Sequence, residues 1–272
     1  MVFQLSVMLF SRYSRHMIYT SEIGSGRPVV FLHGLFGSGE NLSVLARRLP
    51  AGWGAILADL PSHGRSCHIA NMSFAAMADS IAEEVCRPLA EPPVVVGHSL
   101  GGKVAMAVAL RHPQLIAGIA VLDIAPVTYP DHHTFILKAL QRVRDQQPAD
   151  RKAADAALQQ YIPDAMIRGF LMKNYIGDSE IWRLPVDTLL DQYDVLRGWS
   201  SGNASPWPFE KPSCCIYGQK SGYVDPAKHG EAFADLFVAI DLIEIPGAEH
   251  WLHVSHADAV ATKLKNYIDL LA

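Results

Sequence analysis

Two residues of this 272-residue chain, Ser99 and His250, stand in settings that fit nucleophilic chemistry. Ser99 is the centre of Gly97-His98-Ser99-Leu100-Gly101. The preceding run Pro92-Pro93-Val94-Val95-Val96 is apolar and β-branched, and an Ala/Val-rich stretch from Val104 to Leu110 follows. Strand, sharp turn and packed helix are the elements this pattern predicts. Small residues two places either side of Ser99 let the turn close, which lifts the hydroxyl above the sheet edge at a helix N-terminus. Main-chain N–H groups there face any negative charge that forms. A serine hydroxyl is a weak nucleophile until a base takes its proton, and His250 lies far downstream on a loop expected just beyond a strand.

Those two residues need a scaffold that brings distant loops together. Val29-Val30-Phe31-Leu32 reads as a short buried strand running into His33-Gly34-Leu35-Phe36-Gly37. A glycine turn of this kind can aim a main-chain N–H at a reaction centre. The donors of an oxyanion hole are assigned to Leu35 and Leu100, with Phe36 lining the pocket and His33 bracing the loop. Asn41 to Leu49 reads as a helix and Trp53 to Ala58 as a strand. That strand ends in the turn-rich Asp59-Leu60-Pro61-Ser62-His63-Gly64-Arg65-Ser66, read as structural. Ser73 to Ala90 is amphipathic, and Ile116 to Leu122 is a further buried strand that ends at Asp123. Alternation of strand and helix implies right-handed crossovers and a parallel sheet, with ligands at the carboxyl ends of the strands.

From about Tyr129 the pattern changes. Asp131 to Arg144, Ala149 to Gln160 and Val186 to Arg197 carry helical periodicity with no strand between them, punctuated by prolines at 148, 163 and 185. A helical cap over residues 128–207 is expected, inserted into a core of residues 1–127 and 208–272. Its aromatics (Phe135, Tyr161, Phe170, Tyr175, Trp182, Tyr193 and Trp199) either line an acyl pocket or form the cap's own core. Trp182 is assigned to the substrate pocket, as are His98 and Trp251, the neighbours in sequence of Ser99 and His250. Ser213 to Tyr217 then resumes the sheet. Pro226 to Phe237 is a helix, Ala239 to Ile245 a last strand, and about Ser255 to Leu271 a closing helix.

Composition narrows the classes. Half the residues are hydrophobic, so the chain can fill a large core. A net charge of -4 leaves no basic footprint for nucleic acid. Four cysteines, two of them adjacent (Cys214, Cys215), read as reduced thiols of a cytoplasmic protein. No apolar run reaches the length of a membrane span. The apolar stretch Val2 to Phe10 lacks a basic start and a small-residue cleavage site, so a first strand or hairpin is expected there rather than a signal peptide. His250, His253 and His256 lack the carboxylate or cysteine company of a metal site, and no metal or other cofactor is expected.

Taken together, His33-Gly34, Asp59…Gly64-Arg65-Ser66, Gly97-His98-Ser99-Leu100-Gly101-Gly102 and Gly247…His250 resemble the α/β-hydrolase family. The resemblance runs from residue 24 to the C-terminus. Within the family, His33-Gly34-Leu35-Phe36-Gly37-Ser38, Gly97-His98-Ser99-Leu100-Gly101-Gly102-Lys103 and Leu122-Asp123-Ile124-Ala125-Pro126-Val127 look most like the YbfF-type esterases. The implied fold is a mostly parallel sheet flanked by helices. The implied chemistry is serine hydrolysis of a small acyl ester or thioester.

One departure from the family pattern matters. The family's usual acid position, three residues past the glycine of the strand after the cap, is Ser221, which cannot neutralise an imidazolium. Two acids could serve. The YbfF-type resemblance places the acid at Asp123 with Ser221 assisting; Asp225 is the alternative, with a helix N-cap before Pro226 as its ordinary role. A carbon–carbon bond hydrolase, a perhydrolase or an acyltransferase could use the same residues, and a ligand-binding protein on the same fold is the non-catalytic alternative. Oligomeric state is not readable from the sequence.

Overall fold

The structure, a computed structural model, describes residues 18–177, 181–200 and 207–271. The expected strand at Val2 to Phe10 and most of the linker from Ser200 to Pro208 lie outside the described residues.

In chain order the first half comprises β1 (Thr20–Ile23), β2 (Arg27–Leu32), a 3₁₀ turn leading into the single-turn α1 (Ser43–Ala46), β3 (Trp53–Ala58), α2 (Phe74–Ile81), β4 (Val94–His98), α3 (Leu100–Arg111) and β5 (Gly118–Leu122). Among the described residues, five α-helices follow with no strand of the sheet between them: α4 (Thr134–Asp145), α5 (Arg151–Gln159), α6 (Ala165–Leu171), α7 (Val186–Asp191) and α8 (Tyr193–Arg197). The chain then closes with β6 (Ser213–Gly218), α9 (Pro226–Ala234), β7 (Asp241–Ile245), α10 (Leu252–Ser255) and α11 (Ala257–Asp269).

The strands form one sheet in the order β1-β3-β2-β4-β5-β6-β7. Among the described residues, only the edge strand β1 runs antiparallel to its neighbour in the sheet; every other pairing of the sheet is parallel. The inner strands are continuous apolar runs because both of their faces are covered. Val30, Leu32 and Val95 pack with the α2 residues Phe74 and Met77 and the α3 residues Val104 and Val108. Val29, Phe31, Val94 and Val96 pack on the other face with Val260, Leu264 and Ile268 of α11. Alternation along each strand therefore feeds two cores, one per face.

The amphipathic stretch at 73–90 is only partly α-helical. Ser73 caps α2 by accepting from the Ala76 N–H, but past Ile81 the chain widens into a π turn over Ala82–Cys86. The third helical stretch expected after Tyr129 breaks at Gln192 into α7 and α8. Helix α6 was not anticipated: it spans seven residues, too few for a period to stand out, and is started by Asp164 accepting from Met166 and Ile167 N–H.

This helical segment is tied to the sheet at named points. Asn174 Nδ2 donates to the Phe36 carbonyl at 2.8 Å. The buried Lys103, on α3, donates to the carbonyls of Val127 (2.9 Å), Arg197 (2.9 Å) and Gly198 (2.6 Å). One ammonium thus gathers both roots of the segment, where the chain leaves β5 and where it returns after α8. Burial pushes Lys103 down to about 7.

Candidate active site

Ser99 is the single residue between β4 and α3. It adopts φ 52 and ψ -119, a conformation L residues rarely take, at a strain of roughly 1–3 kcal/mol. Its N–H donates to Leu122 at 3.0 Å, and its carbonyl accepts from Gly102 (2.8 Å) and Lys103 (3.2 Å), so the turn is held from both sides. A Cβ at Gly97 would collide with the Gly101 carbonyl, and one at Gly101 with the Leu32 carbonyl. Both glycines of the pentapeptide are therefore set by close backbone approach.

The Ser99 Oγ lies 3.0 Å from His250 Nε2. Nδ1 of the same ring lies 2.7 Å from Asp123 Oδ2. A carboxylate only accepts, so the ring proton sits on Nδ1 and the lone pair on Nε2 faces the serine hydroxyl. Asp123 follows β5, is fully buried and has φ 55, a left-handed value that Asp tolerates better than most residues. Its Oδ1 accepts from the Gly218 N–H at 2.9 Å, and its Oδ2 also accepts from Ser221 Oγ at 2.5 Å. Asp225, the alternative acid, caps α9 by accepting from the Ala227 N–H and pairs with Lys228. The structure brings Asp123, and not Asp225, to the histidine.

Leu35 occupies a turn closed by the Gly37 N–H donating to the Gly34 carbonyl at 3.0 Å. Phe36, the third residue of that turn, has φ 64, a left-handed value of the kind a type II turn demands. The turn lies directly on the elbow: a Cβ at Gly34 would sit 3.1 Å from His98 Nδ1 and 3.3 Å from Ser99 Cβ. The Leu100 N–H opens α3, where first-turn N–H groups have no intrahelical acceptor. Leu35 and Leu100 thus flank the serine. His33 braces this loop, as expected: Nδ1 donates to the Gly34 carbonyl and Nε2 accepts from the Leu60 N–H. Burial holds His33 down at about 4, in its neutral form.

Two of the assigned substrate contacts stand differently. Trp182 is buried inside the helical segment, its Nε1 donating to the Leu140 carbonyl at 2.8 Å, and it borders neither cavity at Ser99. It lies between α6 and α7, bridged to Tyr175, and faces the segment's own core. His98 borders the cavity, but its Nε2 donates to the His250 carbonyl at 3.0 Å, which fixes the loop that carries His250. Burial drives His98 well below the ordinary histidine value. Phe36 and Trp251 line a cavity of about 530 Å³ that opens beside Ser99.

Tyr223 was not anticipated. Its ring stacks on His250 at 3.8 Å between centroids and 20° between planes, which limits the imidazole to one orientation. Burial lifts its phenol to about 12, so it stays neutral. His133, which borders both cavities at Ser99, was also missed. Neither has a sequence signal beyond its type, because each depends on loops that meet only in the fold. Among the described residues no helix is long and apolar enough to cross a membrane.

Comparisons with known proteins bear on the fold and the family. Residues 29–263 match the model of the alpha/beta hydrolase family. Esterase YbfF of Escherichia coli is 33% identical over 89% of this chain and 93% of its own length. The sn-1-specific diacylglycerol lipase ABHD11 of Mus musculus is 35% identical over 83% of this chain and 75% of its own. A solved structure of a marine microorganism esterase is similar at a TM-score of 0.85, with 29% identity, covering 92% of this chain and 98% of that one. A strained serine elbow in a seven-stranded, mostly parallel sheet, matched by a family model across most of its length, means that this chain belongs to the alpha/beta hydrolase family.

Proposed function

We propose that the protein is a serine hydrolase that cleaves acyl esters or thioesters through an acyl-enzyme intermediate. The observation that carries this reading is the continuous hydrogen-bonded chain from Ser99 Oγ through both His250 nitrogens to the buried Asp123 carboxylate. The names borne by its relatives, esterase and lipase, support the same class.

In this mechanism His250 Nε2 takes the Ser99 proton as Oγ attacks the substrate carbonyl. Charge gained by the imidazolium is balanced by Asp123, which also keeps the ring in the required tautomer. Ser221 and the Gly218 N–H hold the carboxylate in place. The oxyanion is held by the N–H groups of Leu35 and Leu100, each contributing about 3 kcal/mol to lowering the barrier. His250 then returns the proton to the leaving oxygen or sulfur as the C–O or C–S bond breaks. A water, deprotonated by His250 in turn, attacks the acyl-enzyme; as the bond to Ser99 Oγ breaks, His250 returns the proton to Oγ and the acid is released. Residues 128–207 act as the cap that covers the site, anchored through Lys103 and Asn174.

The test pairs a fluorophosphonate probe with ester turnover. Wild type is labelled at Ser99, and the Ser99→Ala variant folds normally but is unlabelled and loses turnover by about 10⁶-fold. Substantial esterase activity remaining in Ser99→Ala overturns the assignment.

A further inference from the structure

Among the described residues, two cavities of very different size border Ser99, and His250 lines the larger of the two. The larger, about 530 Å³, is bordered by His250 and walled by the apolar side chains of Ile136, Ile167, Phe170 and Trp251. The smaller, about 40 Å³, is bordered by Leu35 and Leu100 and lined further by Ile124, Leu196 and Tyr223. His250 does not border it, because Tyr223 is stacked over the imidazole on that side.

This inference rests on the ester-hydrolase reading above. When the tetrahedral adduct collapses, the carbon–oxygen bond breaks and His250 Nε2 gives its proton to the departing oxygen. That oxygen therefore lies on the histidine side, and the group it carries occupies the cavity the histidine borders. With Oγ behind the carbon and the oxyanion between the Leu35 and Leu100 N–H groups, one direction remains for the acyl substituent. That direction leads into the smaller cavity. At about 40 Å³ it is more than tenfold smaller than the larger cavity. The larger cavity falls within the roughly 300–1,000 Å³ range of pockets that enclose whole ligands.

We propose that the substrates are esters that join a short acyl group, of about two or three carbons, to a large apolar alcohol. On this assignment the small cavity selects the acid and the large one the alcohol, the reverse of an enzyme built to hold a fatty acyl chain. Leu196 and Ile136 are then the residues that set the two limits, one beside each end of the substrate.

Isomeric esters decide it, because octyl acetate and ethyl octanoate have the same formula and differ only in which side carries the chain. Release of alcohol by wild-type enzyme should give a kcat/KM at least about tenfold higher for octyl acetate. Leu196→Ala, which enlarges the small cavity, should raise the octyl butyrate to octyl acetate ratio by about tenfold. Ile136→Trp, which fills the large one, should lower octyl acetate relative to ethyl acetate by a similar factor. Equal or better turnover of ethyl octanoate overturns the proposal without touching the assignment of Ser99. Failure to cleave either isomer while the fluorophosphonate still labels Ser99 also overturns it and leaves the nucleophile standing. Failure of both turnover and labelling removes the hydrolase reading itself.

Discussion

Among the described residues, Asp, His and Ser gather in two constellations at the carboxyl ends of the strands, and the two differ in what they bond. In the first, Ser99, His250 and Asp123 bond side chain to side chain, and the series ends at a cavity. In the second, His33, Asp59 and His63 bond chiefly to main chain. Asp59 accepts from the N–H groups of Gly39 and Arg65, both at 2.7 Å, and Ser66 Oγ donates to the Asp59 carbonyl. His33 joins Gly34 and Leu60, and His63 Nδ1 faces the Pro61 carbonyl. A carboxylate satisfied by N–H groups holds a loop shut, and an imidazole pinned between two main-chain groups cannot exchange its proton without breaking the fold. Residue type and strand-end position are shared by both groups; the partners decide which of them can react.

The largest test of that contrast exchanges the two acids. Asp123→Asn keeps shape but removes the acceptor that sets the His250 tautomer, and kcat should fall by about 10⁴-fold with little change in stability. Asp59→Ala should do the reverse. It leaves two N–H groups without their charged acceptor and should destabilise the protein by about 3 kcal/mol, while the folded fraction keeps kcat within a few-fold. Urea unfolding and ester turnover on the same preparations separate the two. A large kcat loss in Asp59→Ala would dissolve the distinction.

Acid should act on the structural pair through stability. Burial lowers His33 to about 4 and His63 to about 3, the latter helped by its neighbour His33 at 5.3 Å. In the unfolded chain each titrates near 6.5, so between pH 6.5 and 4 the unfolded state binds protons that the folded state refuses. Their contribution is fully present above pH 6.5 and is lost as pH falls toward 4, at a slope of about 1.4 kcal/mol per pH unit for each buried histidine. His63→Gln should flatten the slope by about one histidine's share. An unchanged slope would mean that His63 takes up no proton on unfolding in that range.

How much of this was legible follows from the range of each interaction. The elbow could be read because its glycines, β-branched strand and following helix lie within a few residues of Ser99. The role of Asp225 as a cap could be read for the same reason, since Asp before Pro is a local signal. The acid could not be chosen from local pattern alone: Asp123 reaches His250 across 127 positions, and the turn at φ 55 that aims it leaves no mark in the residue type. Trp182 could not be placed for a related reason, because an aromatic residue in a segment between helices is equally suited to a pocket and to a core. Tyr223 stacks on His250 only because the loops after β6 and β7 converge, which no stretch of either loop encodes.

The smallest expected effect bears on Ser221, the residue that stands where the family's pattern has its acid. Its hydroxyl donates to the same Asp123 oxygen that receives the His250 Nδ1–H, so the two compete for one atom. Ser221→Ala removes a charge-assisted bond of about 1.5–3 kcal/mol, but that bond is made in the ground state and the transition state alike. Only the difference between the two states reaches kcat. Freed of a competing donor, the carboxylate also attracts the imidazolium more strongly, which offsets part of the loss. A fall in kcat of about three- to tenfold with KM unchanged is therefore expected from steady-state kinetics. Ser66→Ala, the matching deletion beside Asp59, should move the unfolding midpoint and leave kcat alone. If Ser221→Ala instead matches the loss seen in Asp123→Asn, the hydroxyl is what keeps the carboxylate aimed at His250. Proton transfer from Ser99 to His250 would then depend on a fourth side chain bonded to the Asp123 carboxylate.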